Sequence, residues 1–329
     1  MIAPTRDDVL AAAERVRRWI WRTPFVPSPW LSDLVGTDVR LKLESVQRTG
    51  SFKIRGAANA LARLRASRPE VTRVISASAG NHGRALALAA VGFGIQTRVF
   101  VPRTAPDAKR DALRRLGADV VETATYEDAE RAAREASRES GDPYISPYND
   151  RDVIAGAGTI ALEMLDECPE LGAIVAPVGG GGLLAGLGIA ARSCGRPVAV
   201  IGAEADASPV FTTSIAAGAI TRVDVRPTLA DGLAGNLEPG SATFDLVRTH
   251  ADRVVAVPEA AIGRAIQDLV YHERLIVEGA AAVTVPAVIQ LWRERALDVS
   301  GRTIGIVLTG RNIDGRTIAS LMSAAGARS

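Results

Sequence analysis

Short apolar runs rich in β-branched residues alternate with alanine- and leucine-rich stretches of helical spacing along nearly the whole chain. The runs at 39–43, 74–76, 97–101, 120–122, 174–177, 198–203, 254–257 and 303–308 read as strands. The stretches at 53–65, 80–90, 106–116, 126–138, 151–166, 260–273 and 313–325 read as helices. Strand followed by helix, repeated, sets successive strands parallel, because a helical crossover returns the chain to the same end of a sheet. An α/β fold of mainly parallel sheets covered by helices follows. Four Trp, four Tyr and six Phe are the only aromatic side chains, so the core is aliphatic, which suits helices packed on parallel strands. At 329 residues the chain exceeds the usual span of one compact domain, which points to two lobes or one large unit. Ser140-Gly141-Asp142-Pro143 and Ser146-Pro147 mark a crossing between lobes. Near the start, the hydroxyl of Thr5 is placed to cap a helix, with Asp8 completing a capping box.

Lys and Arg number 39 against 37 Asp and Glu, a net charge of +2, which leaves no spare positive field for a polyphosphate backbone. Nucleic-acid binding is therefore not expected. No run approaches the roughly 20 apolar residues of a membrane span, so no membrane partner is expected either. The polar, acidic start (Thr5-Arg6-Asp7-Asp8) is unlike a secretory signal, and Cys168 and Cys194 are too few for a disulfide framework. A cytoplasmic location is the expectation.

Four segments carry chemistry. Gly179, Gly180, Gly181 and Gly182 follow the strand at 174–177 and precede a helix, so their amides can converge on an anion with the positive helix end behind them. Gly180, Gly182 and Ala185 also fit G-x-G-x-x-A, with Glu204 about 24 residues on, so a dinucleotide is a rival ligand. Lys53, beside Phe52, opens the helix at 53–65. The positive end of that helix disfavours an ammonium there and lowers its pKa, as an imine-forming lysine requires. The loop Ser78-Ala79-Gly80-Asn81-His82 again joins a strand to a helix and offers a second anion site, with Asn81 at its rim; a plain N-terminal cap is the simpler reading for Ser78 and Asn81. Finally, Thr309 stands past the end of the last strand, where parallel sheets face their ligands.

The ordered set of Ser51-Phe52-Lys53-Ile54-Arg55-Gly56-Ala57, SASAGNHG (76–83), Val101-Pro102-Arg103-Thr104-Ala105-Pro106, VIAGAGT (153–159), VGGGGL (178–183), Ala230-Asp231-Gly232 and VLTGRN (307–312) resembles the serine/threonine dehydratase family of pyridoxal-phosphate enzymes, in the tryptophan-synthase-β-like fold. Serine racemase is a close branch of that resemblance. A nicotinamide oxidoreductase would leave Phe52, Lys53, Asn81 and Thr309 without work. The resemblance implies that Lys53 holds pyridoxal 5'-phosphate as a Schiff base and acts as the catalytic base. Phe52 and Gly232 would flank the ring, Gly179 to Gly182 with Leu183 would bind the phosphate, Asn81 would meet the ring hydroxyl, and Thr309 would face the pyridine nitrogen. The substrate carboxylate would lie on Ser78, Ala79, Gly80, Asn81 and His82, with no proton-transfer role for His82. Residues 1–74 and 150–329 would form a large cofactor-binding domain, 75–149 a small substrate-gating domain, and the assembly would be a homodimer or homotetramer. The implied reaction is deamination of threonine or serine, by β-elimination to a 2-oxoacid and ammonia. A pyridoxal-binding protein without activity is the remaining alternative.

Departures from the family pattern sharpen this. Ala79 stands where racemases carry a serine, and a methyl group moves no proton, so racemisation is not expected. Some relatives bind a cation through a glutamate and an aspartate six residues on; Glu204 is present, but Val210 is not a ligand, so no metal is expected. Arg84 replaces the usual glutamine and Arg311 the usual glycine. Either one recognises a second carboxylate, as in 3-hydroxyaspartate, or Arg84 is a surface residue and Arg311 pairs with Asp314. Ser146-Pro147-Tyr148-Asn149-Asp150 also differs from the family's His-Pro-Phe-Asp-Asp run, which changes the pocket shape.

Overall fold

The computed structural model describes residues 2–78, 80–297, 299 and 302–326. Among these, nine strands form two sheets. The strands are β1 (Phe25–Pro27), β2 (Val39–Lys42), β3 (Arg73–Ala77), β4 (Gln96–Pro102), β5 (Asp119–Thr123), β6 (Leu171–Pro177), β7 (Ala199–Ala205), β8 (Arg253–Val257) and β9 (Thr303–Val307). The larger sheet runs β1-β2-β9-β6-β7-β8 and the smaller β3-β4-β5. Every pairing is parallel except β1 with β2. A bridge from Tyr144 to Ile75 extends the small sheet. This is a two-sheet α/β fold of the tryptophan-synthase-β-like type, mainly parallel and covered by helices.

Burial explains the composition of the strands. Every residue of β6 is buried. Ala173 and Val175 point into one aliphatic core, and Ile174 and Ala176 into the core on the other face, as alternation along a strand dictates. The capping box at Thr5 is formed: Thr5 N donates to Asp8 Oδ2 at 2.8 Å and Asp8 N to Thr5 Oγ1 at 3.4 Å. Two expected helices have different limits. The last begins at Gly315, after an Asp314 that accepts from Arg316 N at 2.7 Å. The stretch from 260 is α-helical over Glu259–Asp268 and then widens into a π turn over Leu269–Glu273.

Three helices pack through glycine. The helix Arg151–Glu167 lies between Lys53–Ser67 and Gly182–Arg192. A methyl group on Gly156 would stand 2.5 Å from the Arg55 carbonyl oxygen, and one on Gly186 would stand 2.4 Å from that of Ile154. Backbones this close admit no side chain.

Beneath the same helices lies a buried ionic cluster. Arg55, fully buried, binds Glu44 with Nε–Oε2 2.8 Å and Nη2–Oε1 2.7 Å, and Glu163 with Nη1–Oε1 2.6 Å and Nη2–Oε2 2.9 Å. Lys42, also fully buried, reaches Glu163 at 2.7 Å and donates to the Thr23 carbonyl at 2.7 Å. Burial alone would push Arg55 down, but the two carboxylates hold it above its ordinary value. Among the described residues, no helix is long and apolar enough to cross a membrane.

Candidate functional site

Lys53 is the first residue of the helix Lys53–Ser67, and backbone contacts tie its entry to the end of β9. Phe52 N donates to the Thr309 carbonyl at 3.0 Å, Arg311 N to that of Gly50 at 2.9 Å, and Ser51 bridges Gly310. Because β2 and β9 are paired, the segment leaving β2 and the one leaving β9 emerge together. Lys53 and Thr309 are thus neighbours despite their separation in the chain.

The Lys53 ammonium donates to the Pro147 carbonyl at 2.7 Å and stands 5.1 Å from the centre of the Phe52 ring. Although the residue keeps some accessible surface, enclosure of its ammonium pushes the pKa down to about 8, against the opposing pull of Glu278. The direction agrees with the sequence reading, but the cause is burial rather than the helix end. Next to Pro147, the Tyr148 ring lies over Gly180, where an added methyl group would come within 2.3 Å of it. Two adjacent residues therefore bring the amine of Lys53 and the glycine loop to one place.

In that loop, between β6 and the helix Gly182–Arg192, Gly181 has φ +85°, and a methyl group on it would stand 2.6 Å from the Phe211 ring. The amides from Gly179 to Leu184 make no hydrogen bond with any described residue, so a cluster of donors at a helix start is left for an anion. Gly232, in a short turn, has its carbonyl 3.4 Å from where a Gly179 methyl group would be. Leu183 is buried just behind. Glu204, the acidic residue of the dinucleotide reading, is buried and occupied: it accepts from Phe211 N at 2.9 Å and from Thr212 N at 2.8 Å, capping the helix Val210–Ala217. It is not free to bind a ribose.

The loop at 78–82 follows β3. Ser78 Oγ accepts from Gly80 N at 3.3 Å. Ala79 lies outside the described residues. His82 is buried, with Nε2 3.3 Å from the Ile145 carbonyl and Nδ1 unpartnered. Burial, then the Lys53 charge, push its pKa down to about 3, so the ring is neutral. Asn81 Nδ2 donates to Glu278 Oε1 at 2.7 Å. Thr309 is buried, and its hydroxyl makes no hydrogen bond with any described residue.

Glu278 and Asn312 escaped the sequence reading. Glu278 is buried, and burial raises its pKa while the Asn81 hydrogen bond lowers it. It immediately precedes Gly279–Ala282, and an acidic side chain before a short alanine helix looks like an ordinary cap; only the fold reveals Asn81, 197 residues away, as its partner. Arg84 is half-buried and donates to Asn312 Oδ1 at 2.7 Å, so it is no free surface residue. Arg311 is exposed and does not pair with Asp314.

These residues fit pyridoxal 5'-phosphate: unpaired amides for the phosphate, and a nearby amine partly neutral near pH 8. Alanine at Gly181 would strain the loop at positive φ and meet Phe211, so cofactor affinity is expected to fall about tenfold. Fluorescence titration of the apo-chain measures this; an unchanged affinity would remove Gly181 from the cradle.

Comparison with known proteins agrees. The family description "pyridoxal-phosphate dependent enzyme" matches residues 16–310. The chain is 42% identical over 312 residues to an L-threonine ammonia-lyase of Thermotoga maritima, covering 94% of this chain and 76% of that one. It is 35% identical over 324 residues to an L-threo-3-hydroxyaspartate ammonia-lyase of Saccharomyces cerevisiae, covering 98% of each. The solved structure of maize serine racemase superposes with a TM-score of 0.89 at 31% identity, covering 99% of each chain. With its Lys53 entry, glycine loop and two-sheet fold, the chain belongs to the family of pyridoxal-phosphate dependent enzymes, and pyridoxal 5'-phosphate is its cofactor.

Proposed function

We propose that the protein is an ammonia-lyase that converts a β-hydroxy amino acid, threonine or serine, to a 2-oxoacid and ammonia by β-elimination. When bound, the cofactor supplies an electron sink that acidifies the Cα–H bond of the amino acid. Lys53 is the base for that proton. The observation that carries this is its amine, enclosed, held by Pro147 and pushed down to about 8, so that a useful fraction is neutral near physiological pH. A hydroxyl at Thr309, rather than a carboxylate, opposite the pyridine nitrogen would leave that nitrogen neutral. That would favour elimination: the β-hydroxyl leaves with a proton as water, and the enamine released takes up water to give the 2-oxoacid and ammonia. The amides of Gly179 to Gly182 and Leu183 would hold the phosphate, Phe52 and Gly232 would face the ring, and Asn81 would meet its hydroxyl. Ser78, Ala79, Gly80, Asn81 and His82 would receive the substrate carboxylate.

Residues 75–149 are read as a small gating lobe on the body formed by 1–74 and 150–329. The separate three-stranded sheet, which begins two residues earlier at Arg73, supports such a lobe, as do ion pairs across the divide, Lys109–Asp231 at 2.6 Å and Arg134–Glu238.

A diacid of the 3-hydroxyaspartate type is the second reading. It is favoured by the yeast relative's named activity and by Arg311, exposed beside Asn312 with no side-chain partner among the described residues. Assaying 2-oxoacid release from threonine, serine and the 3-hydroxyaspartate diastereomers decides between the two, and no product from any of them ends both. With L-serine, chiral analysis is expected to show no build-up of the D form, because Ala79 has no hydroxyl. Rapid racemisation would overturn that expectation.

A further inference from the structure

Arg84, Asn312 and Glu278 have no part in the reading above, yet they are bonded in series to Asn81. The chemistry of each group gives the series one direction. A guanidinium only donates, so the Asn312 atom it meets at 2.7 Å is the amide oxygen. The Asn312 nitrogen then faces two acceptors, the Thr49 carbonyl at 3.0 Å and Asn81 Oδ1 at 2.6 Å. With its oxygen so engaged, Asn81 turns its nitrogen to Glu278 Oε1 at 2.7 Å. Glu278 accepts at both oxygens, the second from Asn312 N at 3.2 Å. The donor-only Arg84 guanidinium and the acceptor-only Thr49 carbonyl hold the Asn312 amide from its two ends, so neither it nor the Asn81 amide that faces its nitrogen can flip without losing a partner. An amide nitrogen carries two hydrogens, and Glu278 takes one of those on Asn81.

We propose that Arg84, Asn312 and Glu278 form a directional hydrogen-bond chain that fixes Asn81 as a donor toward the ring hydroxyl of the cofactor, with Asn312 as its positioning residue. This rests on the reading that Lys53 holds the cofactor and Asn81 meets that hydroxyl. A fixed donor favours the ionised ring oxygen, and hence the visible-absorbing form of the bound cofactor over the near-ultraviolet form. A flipped amide would present an oxygen and favour the reverse.

The test compares the holoenzyme with its Asn312→Ala, Arg84→Met and Arg84→Lys variants at neutral pH. Asn312→Ala is expected to lower the ratio of visible to near-ultraviolet absorbance about threefold or more, and kcat about tenfold with KM within about twofold. Arg84→Met should act in the same direction but less, since the Thr49 carbonyl still orients Asn312. Arg84→Lys, again donor-only, should recover most of the ratio. Borohydride trapping with peptide mapping of Lys53 runs in parallel. Absence of label on Lys53 in the wild type would sink the underlying cofactor reading. Label present with an unchanged band ratio in Asn312→Ala, or equal ratios in Arg84→Met and Arg84→Lys, would overturn the directional chain alone. If Asn312→Ala does not fold, the contrast between the two Arg84 variants carries the test.

Discussion

Lys53→Ala is expected to lower 2-oxoacid production on the order of 10⁴-fold, with the fold and the glycine loop intact. The variant should still take up cofactor, but lose the visible band that borohydride fixes in the wild type. The basis is geometric: Lys53 enters its helix pinned by Phe52 N to the Thr309 carbonyl, and its amine rests on the Pro147 carbonyl. Among the described residues, the other enclosed titratable groups that act on it or feel its charge are His82, neutral and bonded to Ile145, and Glu278, occupied by Asn81 and Asn312. Residual turnover within about tenfold of wild type would mean that another group removes the proton. A pH dependence accompanies this. An amine depressed to about 8 is protonated below that value and a nucleophile above it. Cofactor capture by the apo-chain should therefore accelerate as pH rises toward 8 and level off beyond, as stopped-flow absorbance would record.

The second large effect concerns stability. Arg55→Met is expected to cost about 3–5 kcal/mol, because it strands Glu44, fully buried, without a cation, while Glu163 keeps Lys42. That is a large part of the roughly 5–15 kcal/mol that holds most folded domains together. Urea denaturation of the apo-chain measures it, and a loss under about 1 kcal/mol would show that water or rearrangement satisfies the carboxylates. Adding Glu44→Gln to Arg55→Met should restore part of the loss, since the stranded charge rather than the missing contact is the costly element. Such recovery would set this cluster apart from an exposed pair such as Arg222–Glu127, whose removal is expected to cost about 0–1 kcal/mol.

What could be read from the sequence was whatever leaves a local trace. The parallel strands show as aliphatic runs because both their faces are buried, and the glycine loop shows because four glycines between a strand and a helix have few other uses. β1 was missed: Phe25–Pro27 is three residues long, contains a proline, and is defined by its antiparallel edge pairing with β2. The π turn at Leu269–Glu273 was missed because its spacing differs from that of an α-helix by one residue over a single turn. At the site, Glu278 and Asn312 act through partners up to 263 residues away, and Arg84 gives no sequence sign that it faces Asn312 rather than water. The depressed lysine was anticipated from its helix position, yet its cause is enclosure, which a linear pattern cannot express.

The glycine contacts of the helix Arg151–Glu167 carry one more implication. That helix bears no residue proposed to meet cofactor or substrate, yet through Gly156 it touches the backbone of the lysine helix, and through Gly158 it abuts Gly186 of the helix behind the anion cradle. Lys53, at the start of one neighbour, and the glycine loop, at the start of the other, are thus held at a reach that follows from the thickness of this helix at its glycines. Drift at Gly156 or Gly158 would alter that reach while every reacting group stayed in place, so divergence in rate between related chains with identical site residues can originate in a helix that touches none of them.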